Sequence, residues 1–180
     1  HHSLGGGGKE NRDDEQLQSF NPNHVLINEY LPGQGIMPHQ DGPKYRPFVA
    51  ILSLGSHTVF HFYKTLADSR SDGKTNTGAL ELLLQPRSLL VFSQSAYKRL
   101  FHGIAERDTD LISTGTISAE KAVDAAAAAG GGGGATDLND KSDEISIKSA
   151  VPNQDAAYRR RSVVMKRGKR LSLTIREVVR

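Results

Sequence analysis

A segment near the end of the chain alternates between polar and apolar side chains with a period of two. It runs from Arg170 to Val178 and reads RLSLTIREV. Such a pattern is typical of an extended strand, in which successive side chains point to opposite faces. We expect Leu171, Leu173 and Ile175 to form an apolar face against a second sheet. The opposite, polar face carries Arg170, Ser172, Thr174 and Arg176.

Several other segments have the short, apolar, β-branched character of strands, and glycine and proline turns separate them. They are His24–Tyr30, Phe48–Leu54, Thr58–Tyr63, Ala79–Leu84 and Leu89–Phe92. No segment shows the apolar spacing of a convincing amphipathic helix. The pattern therefore predicts a mainly β protein: a sandwich, a barrel or a jelly roll.

The length of 180 residues is typical of one domain. Residues 1–22 are polar and glycine-rich, so we predict a disordered lead. Residues 105–161 include five alanines followed by five glycines, and we predict a flexible, low-complexity insertion there. Residues 23–104 and 162–180 would then form the folded domain.

The chain has no cysteine, which excludes disulfides and thiolate metal sites. The net charge of +3 permits a nucleic-acid partner without requiring one. Basic residues cluster from Arg159 to Arg170, as a solvated segment or as a phosphate-binding or nuclear-import patch. No apolar run is long enough to span a membrane. We expect an intracellular monomer, in the cytoplasm, the nucleus or both.

The pair His39 and Asp41 is a candidate for metal binding. If this segment is a strand, the two side chains share a face and can aim at one point. A second histidine from a distant strand would complete a site of two histidines and one carboxylate, which leaves positions open on octahedral iron. By itself such a pair is common, and the alternative is a turn with an exposed histidine beside Pro38 and Gly42. The candidates for this second histidine are His102, which follows an apolar pair, and the competing histidines His24, His57 and His61.

The two arginines of the last strand predict an anionic ligand if their face is buried, because a buried guanidinium requires a partner. A dicarboxylate would suit it, since arginine binds carboxylates through two parallel hydrogen bonds. Asn28 and Tyr30 also share a face and offer groups that hydrogen-bond to carboxylates. The alternative is a half-exposed edge strand whose arginines lie in water.

Taken together, these residues resemble the signature of the AlkB family of Fe(II)/2-oxoglutarate-dependent dioxygenases. The signature has Asn-x-Tyr, His-x-Asp, a distant His, and two arginines six residues apart. Here the matching residues are Asn28, Tyr30, His39, Asp41, His102, Arg170 and Arg176. The likeness is densest to the eukaryotic branch called AlkB homologue six, and it covers about half of the chain.

The resemblance implies a double-stranded β-helix (jelly roll) and an oxidoreductase that uses Fe(II), 2-oxoglutarate and O₂. It assigns His39, Asp41 and His102 to iron. It assigns Asn28 and Tyr30 to 2-oxoglutarate, with Arg170 at the far carboxylate, Arg176 near the iron-bound end and Ser172 as a further candidate. It also implies a demethylase that removes N-alkyl groups from alkylated DNA or RNA. Oxygenation of a protein or small molecule, or binding without catalysis, stays open.

Two features depart from the family pattern. The bacterial enzyme has an acidic residue two positions after the ligand aspartate, and this chain has Pro43 there. Family members also carry N-terminal outer strands, helices and a lid ahead of the Asn-x-Tyr strand, and we expect part of these elements to be missing here. Recognition of the substrate is therefore expected to differ from that of the bacterial enzyme.

Overall fold

The fold was analysed in a computed structural model, which describes residues 19–70, 79–112, 116–118, 145–150 and 162–179. Most of the predicted disordered lead, residues 1–18, lies outside the described residues. Among the described residues, no helix has the length and apolar character needed to cross a membrane.

Two five-stranded sheets make up most of the structure. The first contains, in spatial order, β1 (His24–Tyr30), β12 (Arg170–Val178), β3 (Tyr45–Gly55), β6 (Leu89–Ser93) and β10 (Ile145–Ala150). The second contains β2 (Ile36–His39), β7 (Phe101–Ile104), β4 (Thr58–Tyr63), β5 (Ala79–Leu84) and β9 (Ile117–Ser118). Neighbouring strands are antiparallel, except that β5 and β9 are parallel.

Three smaller elements complete the described fold. β8 (Thr109–Ile112) pairs with β11 (Val163–Lys166) as a separate two-stranded sheet. Helix α1 (Gln94–Arg99) links β6 to β7, and a short 3-10 helix spans Asp68–Arg70. Both helices whose bounds the structure describes are thus short, as the absence of amphipathic periodicity predicts.

The main core lies between the two large sheets. β3 and β6 of the first sheet face the hairpin of β4 and β5 in the second. Both sheets contribute fully buried apolar side chains, namely Val49, Leu90 and Phe92 from the first and Phe62, Leu82 and Leu84 from the second. This arrangement of two facing antiparallel sheets confirms the predicted jelly roll.

The last strand presents the opposite face to the second sheet from the one we expected. Arg170, Ser172, Thr174 and Arg176 are buried, whereas the alternate residues Leu171, Leu173 and Ile175 are only half-buried. The expectation that Leu171, Leu173 and Ile175 pack against the second sheet is therefore wrong, whereas the buried polar face with two arginines, from which an anionic ligand was predicted, is the arrangement found. The reason is that the polar face lines a cavity between the sheets, where it contacts other polar groups.

Three strands lie inside the range 105–161, which we predicted to be a flexible insertion: β8, β9 and β10. The prediction assigned no strand to this range, and the extent of the flexible insertion stays a prediction. β8 alternates between exposed and buried residues, but one of its buried residues is Asp110, which pairs with a buried arginine. Because a charged residue occupies a buried position, the sequence of this strand does not show the alternation of polar and apolar residues that indicates a strand. The low-complexity run itself, residues 125–134, lies outside the described residues.

Candidate metal centre and cosubstrate pocket

His39, Asp41 and His102 converge at one point between the sheets. Each offers one ligand atom, and the three atoms lie within 4.8 Å of one another. His102 Nε2 is 3.8 Å from Asp41 Oδ2, and the two imidazole rings have centroids 4.4 Å apart. The structure thus brings together the three residues that the sequence singled out for a metal. Two imidazoles and one carboxylate on one side leave the other side open for further ligands.

Strand pairing explains why the two histidines meet. β2 runs antiparallel to β7, and His39 is the direct cross-strand partner of His102. The backbones approach closely next to the site, because a Cβ on Gly103 would lie 2.8 Å from the carbonyl oxygen of Ile36. The glycine that follows His102 is therefore needed for β2 to lie against β7 at this point.

Asp41 lies just before a turn and not, as we predicted, on the same strand as His39. β2 ends at His39, so Asp41 lies beyond the strand and the regular spacing of strand side chains does not place it. The chain turns here, and the Tyr97 hydroxyl donates a 2.8 Å hydrogen bond to the carbonyl oxygen of Gly42. Helix α1 thus helps to hold the turn that carries the carboxylate.

The two histidines are prepared for metal binding in different ways. His39 Nδ1 lies 2.9 Å from the carbonyl oxygen of Met37, a contact that fixes the proton on Nδ1 and leaves Nε2 free for a metal. Burial, together with the charges of His39 and Arg176, lowers the pKa of His102 to about 3. His102 is therefore a neutral imidazole at neutral pH, which is the form that binds metals.

Asp41 has one satisfied and one unsatisfied oxygen. Oδ1 accepts a 2.7 Å hydrogen bond from Arg176 Nη1. Oδ2 is buried without a hydrogen-bond partner among the described residues. Burial raises the pKa of this carboxyl group, although Arg176 and His39 partly offset the effect. A divalent cation would supply the partner that Oδ2 lacks, so the residues present fit a metal such as Fe(II).

A cavity extends from these three residues along the polar face of β12. All the residues proposed for 2-oxoglutarate line it, namely Asn28, Tyr30, Arg170, Ser172 and Arg176. β1 pairs with β12 in a register that sets Asn28 opposite Ser172 and Tyr30 opposite Arg170. One sheet thus places two separate sequence motifs side by side.

Arg170 lies at the end of this cavity, and its guanidinium is only partly satisfied. The side chain is 3% exposed, and Nη2 donates a 2.9 Å hydrogen bond to Ser53 Oγ. Nε and Nη1 are buried and have no partner among the described residues. Burial lowers the pKa of Arg170 to about 10, with a partial offset from Tyr30, whose ring lies 5.5 Å below the guanidinium carbon. A carboxylate is the chemical group that would satisfy these donors.

The three competing histidines lie elsewhere. His61 Nε2 lies 3.5 Å from Glu81 and 3.3 Å from Arg107, on the face of β4 opposite to Phe60 and Phe62. His57 Nε2 is 3.5 Å from Asp110. His24 packs against Tyr45. None of the three joins the metal cluster found among the described residues.

Sequence reasoning missed two residues that hold the site. Ser53 binds Arg170, and it is the polar exception on a strand face that otherwise carries Val49 and Ile51; this break in the pattern was a usable signal. Tyr97 holds the turn after Asp41 from a short helix, and nothing in its sequence neighbourhood indicates that role.

The basic cluster at Arg159–Arg170 does not form a single exposed patch. Arg167 and Arg170 are buried, and Arg167 makes a bidentate pair with Asp110 at 2.7 Å for both contacts. Lys169 pairs with Glu29 at 3.5 Å, and Lys166 is exposed. Residues 159–161 lie outside the described residues.

Comparisons with known proteins agree with this geometry. A probable RNA/DNA demethylase, ALKBH6, of Danio rerio is 41% identical over 99 residues, which are 53% of this chain and 42% of that protein. An uncharacterized protein of Acanthamoeba polyphaga mimivirus is 35% identical over 103 residues, 57% of this chain and 45% of that protein. A tRNA (carboxymethyluridine(34)-5-O)-methyltransferase of Xenopus tropicalis is 33% identical over 109 residues, 57% of this chain and 16% of that protein.

The aligned region thus spans less than half the length of these relatives. They support the predicted similarity to AlkB-type proteins, and to the AlkB homologue six branch in particular. The family model described as the 2OG-Fe(II) oxygenase superfamily matches residues 8–176, nearly the whole chain. Its name implies Fe(II) and 2-oxoglutarate, the groups that the metal cluster and the arginine-lined cavity fit. The chain belongs to the 2OG-Fe(II) oxygenase superfamily.

Proposed function

We propose that this protein is an Fe(II)- and 2-oxoglutarate-dependent dioxygenase that removes N-alkyl groups from nucleic-acid bases. One observation carries the proposal. A cluster of two histidines and one carboxylate, with ligand atoms within 4.8 Å, shares a single cavity with a buried arginine whose Nε and Nη1 lack partners within the part of the chain that the structure describes. That pairing of a cation site with an anion site suits a metal and a dicarboxylate bound together.

The protein's own residues would bind and orient these groups. His39, Asp41 and His102 would hold the metal on one side, and Arg176 would keep the Asp41 carboxylate in place through its 2.7 Å hydrogen bond. Arg170 would bind the carboxylate of 2-oxoglutarate farthest from the metal. When bound, iron and 2-oxoglutarate supply the oxidation of the substrate C–H bond by O₂, with succinate and CO₂ as by-products.

Asn28, Tyr30 and Ser172 would set the position of the cosubstrate along the cavity. Asn28 and Ser172 are paired across β1 and β12, so their polar groups lie next to one another on the cavity wall. Tyr30 lies beside Arg170 and would offer its hydroxyl to the same carboxylate. The apolar wall opposite, with Phe60 stacked on His102 at 5.6 Å, would keep water away from the metal side.

The substrate class rests on the relatives. One of them is named as a probable RNA/DNA demethylase and another as a tRNA methyltransferase. Oxidation of an N-methyl group gives an unstable hydroxymethyl amine that releases formaldehyde. A nucleic-acid substrate would place the protein in the nucleus or the cytoplasm. The exposed Lys44 and Lys98 would provide attraction to phosphate.

The experiment that tests this function measures two products separately. Purified protein is given Fe(II) and 2-oxoglutarate, and succinate is measured with and without methylated DNA and RNA oligonucleotides. Formaldehyde is measured in the same reactions. We expect succinate and formaldehyde to rise together when an N-methylated oligonucleotide is added, and both to disappear in His102→Ala.

Each alternative gives a different result. Formaldehyde with methylated peptides and none with oligonucleotides would assign the enzyme to a protein substrate. Binding of 2-oxoglutarate and iron with no succinate under any condition would leave a binding module without turnover. Either result would contradict the proposed function.

A further inference from the structure

An open groove lies beside the metal centre, outside the cosubstrate cavity. Its empty space is about 710 Å³, and it is lined by Gln40, Asp41, Pro43, Tyr45, Pro47, Tyr97 and Lys98. Asp41 lines both the groove and the cavity, so a molecule in the groove would lie next to the metal ligand. The groove is therefore a direct approach to the metal from the surface.

The groove has a built floor. Tyr97 is 7% exposed, and its hydroxyl donates to the carbonyl oxygen of Gly42 at 2.8 Å. Gln40 Nε2 donates a 3.2 Å hydrogen bond to the carbonyl oxygen of Lys98 and so joins the metal-binding turn to helix α1. Tyr45 is held by Arg176, whose guanidinium carbon lies 4.5 Å from the ring centroid. Proline and tyrosine rings of this kind give flat apolar surfaces for a sugar or base.

The charges around the groove favour an anionic occupant. Asp41 is the one acidic residue among the described residues that line it, and its Oδ1 is paired with Arg176. Lys98 lies in the wall and is exposed in the last turn of α1. Lys44 is also exposed, and it lies in sequence between two wall residues, Pro43 and Tyr45. Two cations thus lie at or next to a groove with an apolar floor.

We infer that this groove binds the sugar–phosphate strand next to the target base of single-stranded nucleic acid, with Lys98 contacting a phosphate. The inference rests on the proposed function and adds the route by which the substrate reaches the metal. It differs from the expectation that the Arg159–Arg170 cluster makes the phosphate contacts. Within that cluster Arg167 and Arg170 are buried, so they cannot meet a phosphate backbone at the surface.

The test compares two exposed lysines that differ in location. Lys98→Glu reverses a charge in the groove wall. Lys166→Glu makes the same change on β11, a strand that pairs with β8 and does not line the groove. The probe is a fluorescein-labelled oligo-dT with one central 1-methyladenine, and its binding to the full chain is followed by anisotropy at several salt concentrations. Thermal melting of each variant checks that the fold is kept, and Lys98→Gln removes the charge without reversing it.

We expect Lys98→Glu to weaken binding about tenfold at low salt and to flatten the slope of log affinity against log salt by about 0.7, the value for one phosphate contact on a single strand. Lys98→Gln should fall between Lys98→Glu and the wild type. Lys166→Glu should change the affinity less than about twofold, because it would contribute only long-range attraction.

The groove assignment would be overturned by an absence of oligonucleotide binding in the wild type, by an equal loss of affinity in Lys98→Glu and Lys166→Glu, or by an unchanged affinity in Lys98→Glu. A labelled acidic peptide that loses affinity in Lys98→Glu while the oligonucleotide does not would also overturn it. Binding that depends on Lys98 without any formaldehyde would contradict the proposed demethylation but support the groove.

Discussion

Two aspartates in this molecule each meet an arginine at 2.7 Å, yet their surroundings are opposite. Asp110 is fully buried, and both of its oxygens are bound by Arg167; Arg107 at 3.1 Å and His57 at 3.5 Å add further contacts. Asp41 has Arg176 on one oxygen only, and no residue in the described ranges forms a hydrogen bond with its Oδ2. In the first pair both carboxylate oxygens are bound by the protein, whereas in the second pair one oxygen is left for a ligand.

The pKa values of the two carboxyl groups reflect this difference. Burial alone raises the pKa of Asp110, but the hydrogen bonds from His57 and Arg167 and the charges of Arg167 and Arg107 outweigh it and hold the pKa well below its usual range. For Asp41, burial outweighs the attraction of Arg176 and His39, so its pKa is raised. A carboxylate that its protein neighbours do not fully stabilise is one that a cation can stabilise instead.

The comparison predicts that removing Asp41 changes ligand binding far more than folding. We expect the wild type to bind one Fe(II) per chain and Asp41→Ala to bind none, because a side chain that supplies one of three ligands is lost. His39→Ala should behave in the same way. Titration with Fe(II) under anaerobic conditions gives the stoichiometry, and unchanged stoichiometry in both variants would rule out the assignment of these residues to the metal.

Removing Asp110 should have the reverse effect. Asp110→Ala leaves the 5% exposed Arg167 without its partner. The loss of one member of a buried pair costs about 3–5 kcal/mol of unfolding free energy. Urea denaturation of the metal-free protein measures this free energy. Asp41→Ala is the matched variant, and its free energy of unfolding should fall less than that of Asp110→Ala. The folded fraction of Asp110→Ala should still bind one Fe(II). Equal losses of unfolding free energy in the two variants would contradict the assignment of a structural role to Asp110 and a ligand-binding role to Asp41.

A second test of the ligand-binding site concerns Arg170, which we propose binds a carboxylate of 2-oxoglutarate. Arg170→Ala should weaken 2-oxoglutarate binding by about 2–5 kcal/mol, the range for truncation of one partner of a buried charge pair. Arg170→Lys should restore only part of the affinity, because lysine cannot make the bidentate contact. Calorimetry with 2-oxoglutarate provides the measurement. Equal affinity in the wild type and Arg170→Ala would show that the carboxylate binds elsewhere.

The pH dependence of stability should show the smallest of these effects. The folded pKa of Asp110 is depressed, so its contribution to stability is fully present above the unfolded pKa of about 3.9 and is lost as pH falls toward the folded pKa. The difference in unfolding free energy between the wild type and Asp110→Asn should therefore narrow below about pH 4. A difference that stays constant between pH 5 and about pH 3 would mean that the carboxylate is not stabilised as described.

Much of the fold follows from local sequence patterns. The strands at His24–Tyr30, Thr58–Tyr63, Ala79–Leu84 and Arg170–Val178 have the bounds that alternation and turn residues predict. Failures occur where tertiary contacts override the pattern. β8 was missed because the buried Asp110 breaks its alternation, and its partner Arg167 lies 57 positions away in sequence.

The sequence by itself determined the mainly β fold and the identities of the seven residues that match the AlkB signature, because residue types and their spacing are local properties. Only the tertiary structure decided that the polar face of β12 is the buried one, because burial depends on which side of the strand the second sheet covers. The same holds for Asp41, which lies beyond the end of β2 and reaches His102 through a turn held by Tyr97. A pairing between distant strands or a helix and a turn is a long-range contact, and local periodicity carries no information about it.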